Sequence, residues 1–353
     1  MKNIGTATLF ATALLLVSCA PAPGSESTPE DVYTEEKAED YIDASPTPPP
    51  LRVVTFNTGT SLKPSADDGE NRGYGRDQWT ACDEWYGNGL AWKPIVEDTR
   101  AWFAAVDPDI VALQEVFWPG ECSDIPEEFW AGFVCEDWTA GYPTVAEQIL
   151  GDGWQIMCHP GRPDKCAAVN RRVGSFRGCD EDLCLEGMAG YPIEDCGSAV
   201  RIARAIIDLV DGGALTLVSI HAKPGMTEED MACRVLNYKQ LFEEMGDGAP
   251  AANGEWNLIM GDFNVDPVVM AGLDPSADTV LEYVGDGKPF HFITASAPDS
   301  PATYAGYVRI DHVVSDAYSG TCWHAGVTEG HPPVTPAVSF DHHAAVCDIL
   351  ATR

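Results

Sequence analysis

The decapeptide LIMGDFNVDP, residues 258–267, runs from aliphatic residues into a glycine and then sets a carboxylate, Asp262, two positions from an amide, Asn264. In an extended chain residues i and i+2 project to one side, so this pair can address the same phosphate or water while Phe263 packs the other way. The same kind of ending recurs: LRVVTFN (51–57) stops at Asn57, DIVALQE (109–115) at Glu115 and LTLVSIH (215–221) at His221. Carboxylates, amides and imidazoles are the groups that hold a hard divalent cation, place a water and move its proton.

These runs, with YVRIDHVVS (307–315), are short, nearly unbroken and rich in Val, Ile and Leu, the pattern of strands covered on both faces. Trp92 to Val106 and Met231 to Met245 carry apolar residues near helical spacing. Strands mixed with helices predict an α/β domain. Its strand ends converge on one edge, where a rigid core holds reacting groups to the tolerance catalysis needs.

At these residues the chain resembles the endonuclease/exonuclease/phosphatase superfamily, which includes pancreatic-type deoxyribonucleases, abasic-site endonucleases, sphingomyelinases and inositol-phosphate phosphatases. VVTFN (53–57) resembles its first-strand asparagine motif, IVALQEV (110–116) its metal-binding glutamate motif and IHAKP (220–224) the HxxP form of deoxyribonucleases. GDFNVD (261–266) is the most specific match, followed by RIDHVV (309–314) and SFDHHAAV (339–346), in the family's order. The resemblance implies a two-sheet mixed β sandwich flanked by helices, four layers in all, with the site at one edge of both sheets.

Carried over residue by residue, Glu115 binds the divalent cation, with Asn57 and Asp341 beside it. Mg²⁺ is expected from hard oxygen ligands and Mn²⁺ as its substitute; a structural Ca²⁺ is left open. His342 acts as general base or phosphoryl hydrogen-bond donor, oriented by Asp311. Asp262 positions the attacking water, Asn264 the phosphate, and His221 serves as general acid or donor. The terminal motif departs from Ser-Asp-His by reading Phe340-Asp341-His342-His343, so a one-residue change of register exchanges His342 for His343. His312 and His343 are otherwise expected to face away from the site.

Each residue alone has a plainer reading: Asn57 as a turn residue, His221 as a satisfied core histidine. Their combination favours a nuclease-like phosphodiester hydrolase, with lipid head groups, inositol phosphates or other small phosphoesters as second substrates. A noncatalytic surface-binding lipoprotein on the same scaffold is the competing class. Arg201, Arg204 and Lys223, with Arg234, are the cations placed to meet substrate phosphate; solvated surface charge is the plain alternative. Nucleic acid bound without sequence specificity is the expected partner, the chain acting as a monomer.

The first nineteen residues read as an export signal: Lys2, then an apolar stretch from Ala7 to Val17 that is too short to span a bilayer. Leu16 to Cys19 resembles a lipobox, making Cys19 the lipid-bearing residue; ordinary signal cleavage is the alternative. Ala20 lacks the retaining aspartate, which favours the outer membrane or cell surface, with the lipid as sole membrane contact. Residues 20–50, rich in Pro, Ser, Thr and acid, form a disordered tether carrying −7, and residues 51–353 form the catalytic domain. With +1 from Lys2, that domain holds −28 of the chain's −34. A sequence-reading DNA binder is thereby disfavoured, although a cation and a few arginines can still meet a phosphate; adaptation to high salt explains the same charge.

Apart from Cys19, eleven cysteines remain, and export makes disulfides their default state. Cys158 with Cys166 and Cys179 with Cys184 are plausible bridges; the odd count leaves a free thiol, for which buried Cys347 is the candidate. Two insertions, Thr58 to Trp92 and Phe117 to Tyr142, follow site strands directly and are expected to wall the groove. Their tryptophans, Trp79, Trp85, Trp118, Trp130 and Trp138, either stack on bases or lipid or, more simply, pack a disulfide-held loop.

Overall fold

The structure is a computed structural model that describes residues 48–60, 73–297, 299–337 and 340–352. The expected signal, Cys19 and nearly all of the 20–50 tether lie outside the described residues, as does 61–72 of the first insertion. No helix among the described residues is long and apolar enough to cross a membrane.

In chain order the elements are β1 (Leu51–Asn57), α1 (Arg76–Ala81), α2 (Lys93–Val106), β2 (Ile110–Gln114), α3 (Val145–Leu150), β3 (Trp154–His159) and β4 (Arg162–Asn170). There follow β5 (Gly174–Phe176), β6 (Leu183–Cys184), β7 (Ala189–Gly190), β8 (Ile202–Leu209), β9 (Ala214–His221), α4 (Glu228–Phe242) and β10 (Trp256–Asp262). The chain closes with α5 (Pro275–Tyr283), β11 (His291–Phe292), β12 (Asp311–Ser315), β13 (Tyr318–His324) and β14 (Ala345–Ala351). Sheet one runs β13-β14-β1-β2-β4-β3-β6; sheet two runs β11-β12-β10-β9-β8-β5, with β7 also on β8. Both are mixed, as expected: β1 and β2 are parallel in the first, β9 and β10 in the second.

Alternation along each strand builds the layers. Val53, Ile110, Ala112 and Cys347 from sheet one meet Leu217, Leu258, Met260 and Val313 from sheet two in a core between the sheets. The intervening residues Val54, Phe56, Val111 and Leu113 face outward onto Ile95, Trp102 and Phe103 of α2 and Ile149 of α3. On the far side Val218, Ile220 and Ile259 meet Tyr238 and Leu241 of α4 and Val280 of α5. Strands buried on both faces show no polar alternation, which is why these runs read as continuous apolar stretches.

Four elements differ in extent from the sequence expectation. β2 ends at Gln114 because Glu115 takes φ 58°, and β10 ends at Asp262 before Asn264 at φ 53°. YVRIDHVVS forms a strand only from Asp311, since Tyr304 to Val308 close a turn around Ala305 at φ 49°. The helix expected from Met231 begins earlier, where Thr227 and Asp230 form a reciprocal cap, and stops at Phe242.

Five disulfides form: Cys122–Cys135, Cys158–Cys166, Cys179–Cys184, Cys196–Cys233 and Cys322–Cys347. Cys347 is therefore no free thiol, because strand pairing sets it directly across from Cys322; among the described residues the free cysteine is buried Cys82. The aromatic insertions pack on each other. Trp85 stacks on Phe129, Tyr86 lies flat on Phe133 at 4.4 Å between ring centroids, and Trp118 meets Trp138 edge-on.

Candidate active site

Strand register alone aligns half of the site. In sheet two Asp262 pairs with His221 on one side and Asp311 on the other, so three ionisable residues form a row across β9, β10 and β12. In sheet one Asn57 pairs with Gln114, the residue before Glu115. The two sheets meet at this edge, where Asn57 Nδ2 donates to Asp262 Oδ2 at 3.0 Å and to Glu115 Oε1 at 3.4 Å. Gly261 makes the close strand approach possible: at φ 146° a Cβ there would lie 1.9 Å from the Ile220 carbonyl oxygen.

The turns finish the geometry. Glu115 and Asn264 both occupy the left-handed region, strain that a non-glycine residue bears only where its surroundings impose it. Asn264 reaches the cleft through this turn and not through strand alternation. Its backbone N–H donates to Asp262 Oδ1 at 2.7 Å, its Nδ2 to the Ala222 carbonyl at 3.0 Å, and Phe263 stacks on Tyr238. His342 places Nδ1 2.9 Å from Asp311 Oδ2 and Nε2 3.9 Å from both Asp262 Oδ2 and Asp341 Oδ1. His221 Nε2 stands 3.3 Å from Glu115 Oε1 and 3.7 Å from Asp262 Oδ2. His343 instead turns its ring to the Ala325 carbonyl, and His312 bonds Thr294 and the Arg309 carbonyl in the core.

Burial separates the charge states of these groups. Burial, reinforced by Asp311, pushes Asp262 up to about 7. Burial works against a charged His342, but the charge and hydrogen bond of Asp311 prevail and hold it up at about 10. Burial, with Lys165 and Arg201 nearby, drops His221 well below its ordinary value and keeps it neutral.

Among the described residues Asp262, Asp311 and His342 group their potential ligand atoms within 4.8 Å. Asp311 Oδ1 is buried without a hydrogen-bond partner. Glu115 projects a half-open carboxylate with no Lys or Arg paired to it among the described residues, tucked so close to Gly59 that a Cβ there would lie 2.3 Å from Oε2. Carboxylate and amide oxygens beside open space fit a hard divalent cation of the Mg²⁺ type.

Two cavities share Glu115, His221, Pro224 and Gly87. One, of about 450 Å³, also takes in Asp262, Asn264, Asp341 and His342; the other, of about 480 Å³, is lined by Arg162, Asp164, Lys165, Arg201 and Trp118. The second wall comes from the β3–β4 hairpin, where Arg162 holds Asp164 through two 2.9 Å bonds and buried Lys165 joins them. Burial opposes a charged Asp164, yet these cations keep it below the usual carboxylate range.

Of the expected phosphate contacts only Arg201 lines the cleft, its Nε buried without a partner. Arg204 is held by Asp247 and the Pro250 carbonyl, and Lys223 pairs with Asp230 at 3.3 Å. Arg234 is fully buried and ties Asp274, Ser276 and the Lys223 and Gly225 carbonyls together. Sequence reasoning missed Arg162, Lys165 and Tyr304, whose ring packs 4.7 Å from that of His342. The one signal for the first two was the charged turn GRPDK between the paired cysteines.

No family model and no curated protein matches the sequence. Among solved structures the chain is similar to humanized D. rerio TDP2, at 11% identity over 85% of this chain and 98% of that one, TM-score 0.47. It is also similar to the endonuclease domain of TRAS1, a telomere-specific non-LTR retrotransposon (14% identity, 86% and 100% coverage, TM-score 0.45). An endonuclease/exonuclease/phosphatase from Beutenbergia cavernae DSM 12333 gives 14% identity, 86% and 72% coverage and TM-score 0.49.

Proposed function

We propose that this chain, which has the two-sheet endonuclease/exonuclease/phosphatase fold, is a divalent-metal-dependent phosphodiester hydrolase of that superfamily working outside the cytoplasm. The observation that carries the reading is the meeting at one edge of Asn57, Glu115 and, just ahead of β14, His342 from the first sheet's side with His221, Asp262 and Asp311 from the second, tied by the Asn57–Asp262 and Asp311–His342 hydrogen bonds.

Glu115, Asn57 and Asp341 would hold the cation, Mg²⁺ or Mn²⁺, which supplies charge neutralisation and polarisation of the phosphoryl oxygens when bound. The chain's own groups do the rest. Asp262, raised to about 7, is matched to take a proton from an attacking water near neutral pH. His342, kept protonated by Asp311, donates from Nε2 to a nonbridging oxygen as charge builds there. Asn264 fixes Asp262 through its backbone N–H, and neutral His221 stands with Nε2 3.3 Å from Glu115 Oε1. The water oxygen bonds to phosphorus, the bond to the departing oxygen breaks, and that oxygen takes a proton through cavity water, which is resupplied by the proton Asp262 took from the attacking water.

Arg162, Lys165 and Arg201 beside the site support a nucleic-acid substrate, bound through phosphate without sequence reading. The apolar lining of the first cavity supports the second reading, a lipid-like or small phosphoester. Five disulfides support an oxidising compartment, and the Cys19 lipid anchor and monomeric state belong to this proposal. The test is to incubate the purified protein with supercoiled plasmid, RNA, sphingomyelin and a chromogenic phosphodiester, with Mg²⁺ or chelator, beside His342→Ala. Metal- and His342-dependent nicking supports the nuclease, lipid turnover alone supports the second reading, and no turnover of any substrate overturns the hydrolase.

A further inference from the structure

The cleft has two unlike arms on either side of Glu115 and His221. One carries Arg162, Lys165 and Arg201. The other leads away from His342 between Met226, Val265, Met270, Tyr304, Val308 and Ile310, and no Lys or Arg among the described residues lines it. The two acids at its edge are already neutralised: Asp266 lies 2.7 Å from Arg309, and Asp274 lies 2.6 Å from Arg234. An anionic strand continuing past the scissile phosphate would meet no donor charge along this arm, and each of its phosphates would lose hydration without a partner.

The apolar character continues outside. Met226 is 67% exposed, and the loops that supply Met270 and Val308 also carry Val269 (47%), Leu273 (74%) and Tyr307 (74%) at the surface. An apolar lining beside the His342 imidazole, with further apolar side chains exposed on the same loops, suits a chain longer than the cavity better than a single ring.

We propose that this arm is the subsite for an apolar chain carried by the substrate phosphoester, so that the enzyme cleaves amphiphilic, lipid-like phosphodiesters with the polar substituent toward Arg162, Lys165 and Arg201. This rests on the hydrolase reading and specifies its substrate. A phosphonate occupies the catalytic groups while its single alkyl substituent selects an arm, so binding against chain length reads the arm directly.

The probes are n-alkylphosphonates from methyl to octyl and phenylphosphonate, added to the metal-loaded protein. Binding is followed by calorimetry and by inhibition of the chromogenic diester. Affinity is expected to rise roughly fourfold per methylene until the arm is filled. Met226→Asp and Met270→Asp are expected to flatten that slope; Met226 is exposed enough for the first variant to fold. Affinity independent of chain length, a slope surviving in both variants, or phenylphosphonate binding as tightly as octylphosphonate overturns the proposal. Failure of the diester to turn over while the calorimetric slope persists overturns the hydrolase reading and leaves the arm standing.

Discussion

Asp311 and His342, 31 residues apart in sequence, meet at 2.9 Å with both side chains buried. Asp311 is fixed by strand register opposite Asp262, while His342 comes from the segment bridged to Tyr304. The pair therefore reports whether the turn around Tyr304 is seated, not only whether the sheet has formed.

Replacing His342 with alanine should lower kcat on a chromogenic diester by at least ~10², the ordinary contribution of a positioned proton donor or acceptor. It should also cost stability, since Asp311 would be left as a buried, unpaired charge. His342→Gln should keep more of that stability while remaining as inactive. Unchanged kcat in either variant would remove His342 from the chemistry.

Glu115→Gln should raise the Mg²⁺ concentration for half-maximal activity by 10-fold or more, in line with changes to ligand surroundings. Chelator should abolish turnover, and added Mn²⁺ should restore it. A metal titration of wild type and variant that superimposes would assign the cation elsewhere.

Gly261→Ala should destabilise the fold by about 3 kcal/mol or more, because its Cβ has no room against the Ile220 carbonyl and the backbone of β9 would have to move. Urea unfolding measures this. A loss below about 1 kcal/mol would mean the two strands separate easily at the site.

Acid should weaken the protein through its buried neutral histidines. Burial, helped by Lys165, lowers His159 to about 3, and burial lowers His312 and His324 to about 4. The unfolded chain binds their protons below about 6.5, whereas the folded one refuses them until near pH 3–4. Their contribution is thus complete above 6.5 and is lost as pH falls toward 4, by several kcal/mol together on the order of the linkage relation. Calorimetric melting temperatures should drop steadily from pH 7 to 4.5; a flat profile would show that the rings are charged in the native state.

Removing the Cys196–Cys233 bridge, which spans 37 residues and pins the loop after β7 to α4, should cost about 3–4 kcal/mol at most. Thermal melting of the double serine variant, with wild type under reducing agent alongside, checks this.

Much of the scaffold was legible because its strands are buried on both faces. β1 begins and ends where LRVVTFN does, and the polar residues at four strand ends marked the edge where both sheets meet. The limits came from local conformations that leave no periodic trace. Glu115 and Asn264 enter the cleft through left-handed turns, so the pleat predicted the neighbourhood of Asp262 and Asn264 but not the way they face each other. Arg162 and Lys165 stand in a strand whose apolar pattern their own charges interrupt. Arg204, Lys223 and Arg234 suit phosphate by charge alone, while local carboxylates claim them. Cys347 could not be paired from spacing, since its partner is set by β13 crossing to β14.

The placement of β14 between β13 and β1 bears on how the site is assembled. Leu51 pairs with Ile349, so one flank of β1 stays bare until β14, far away in sequence, docks against it. His342 lies three residues ahead of that strand. Closure of the sheet and seating of His342 thus go together, and a chain lacking β14 would leave an unpaired edge along β1.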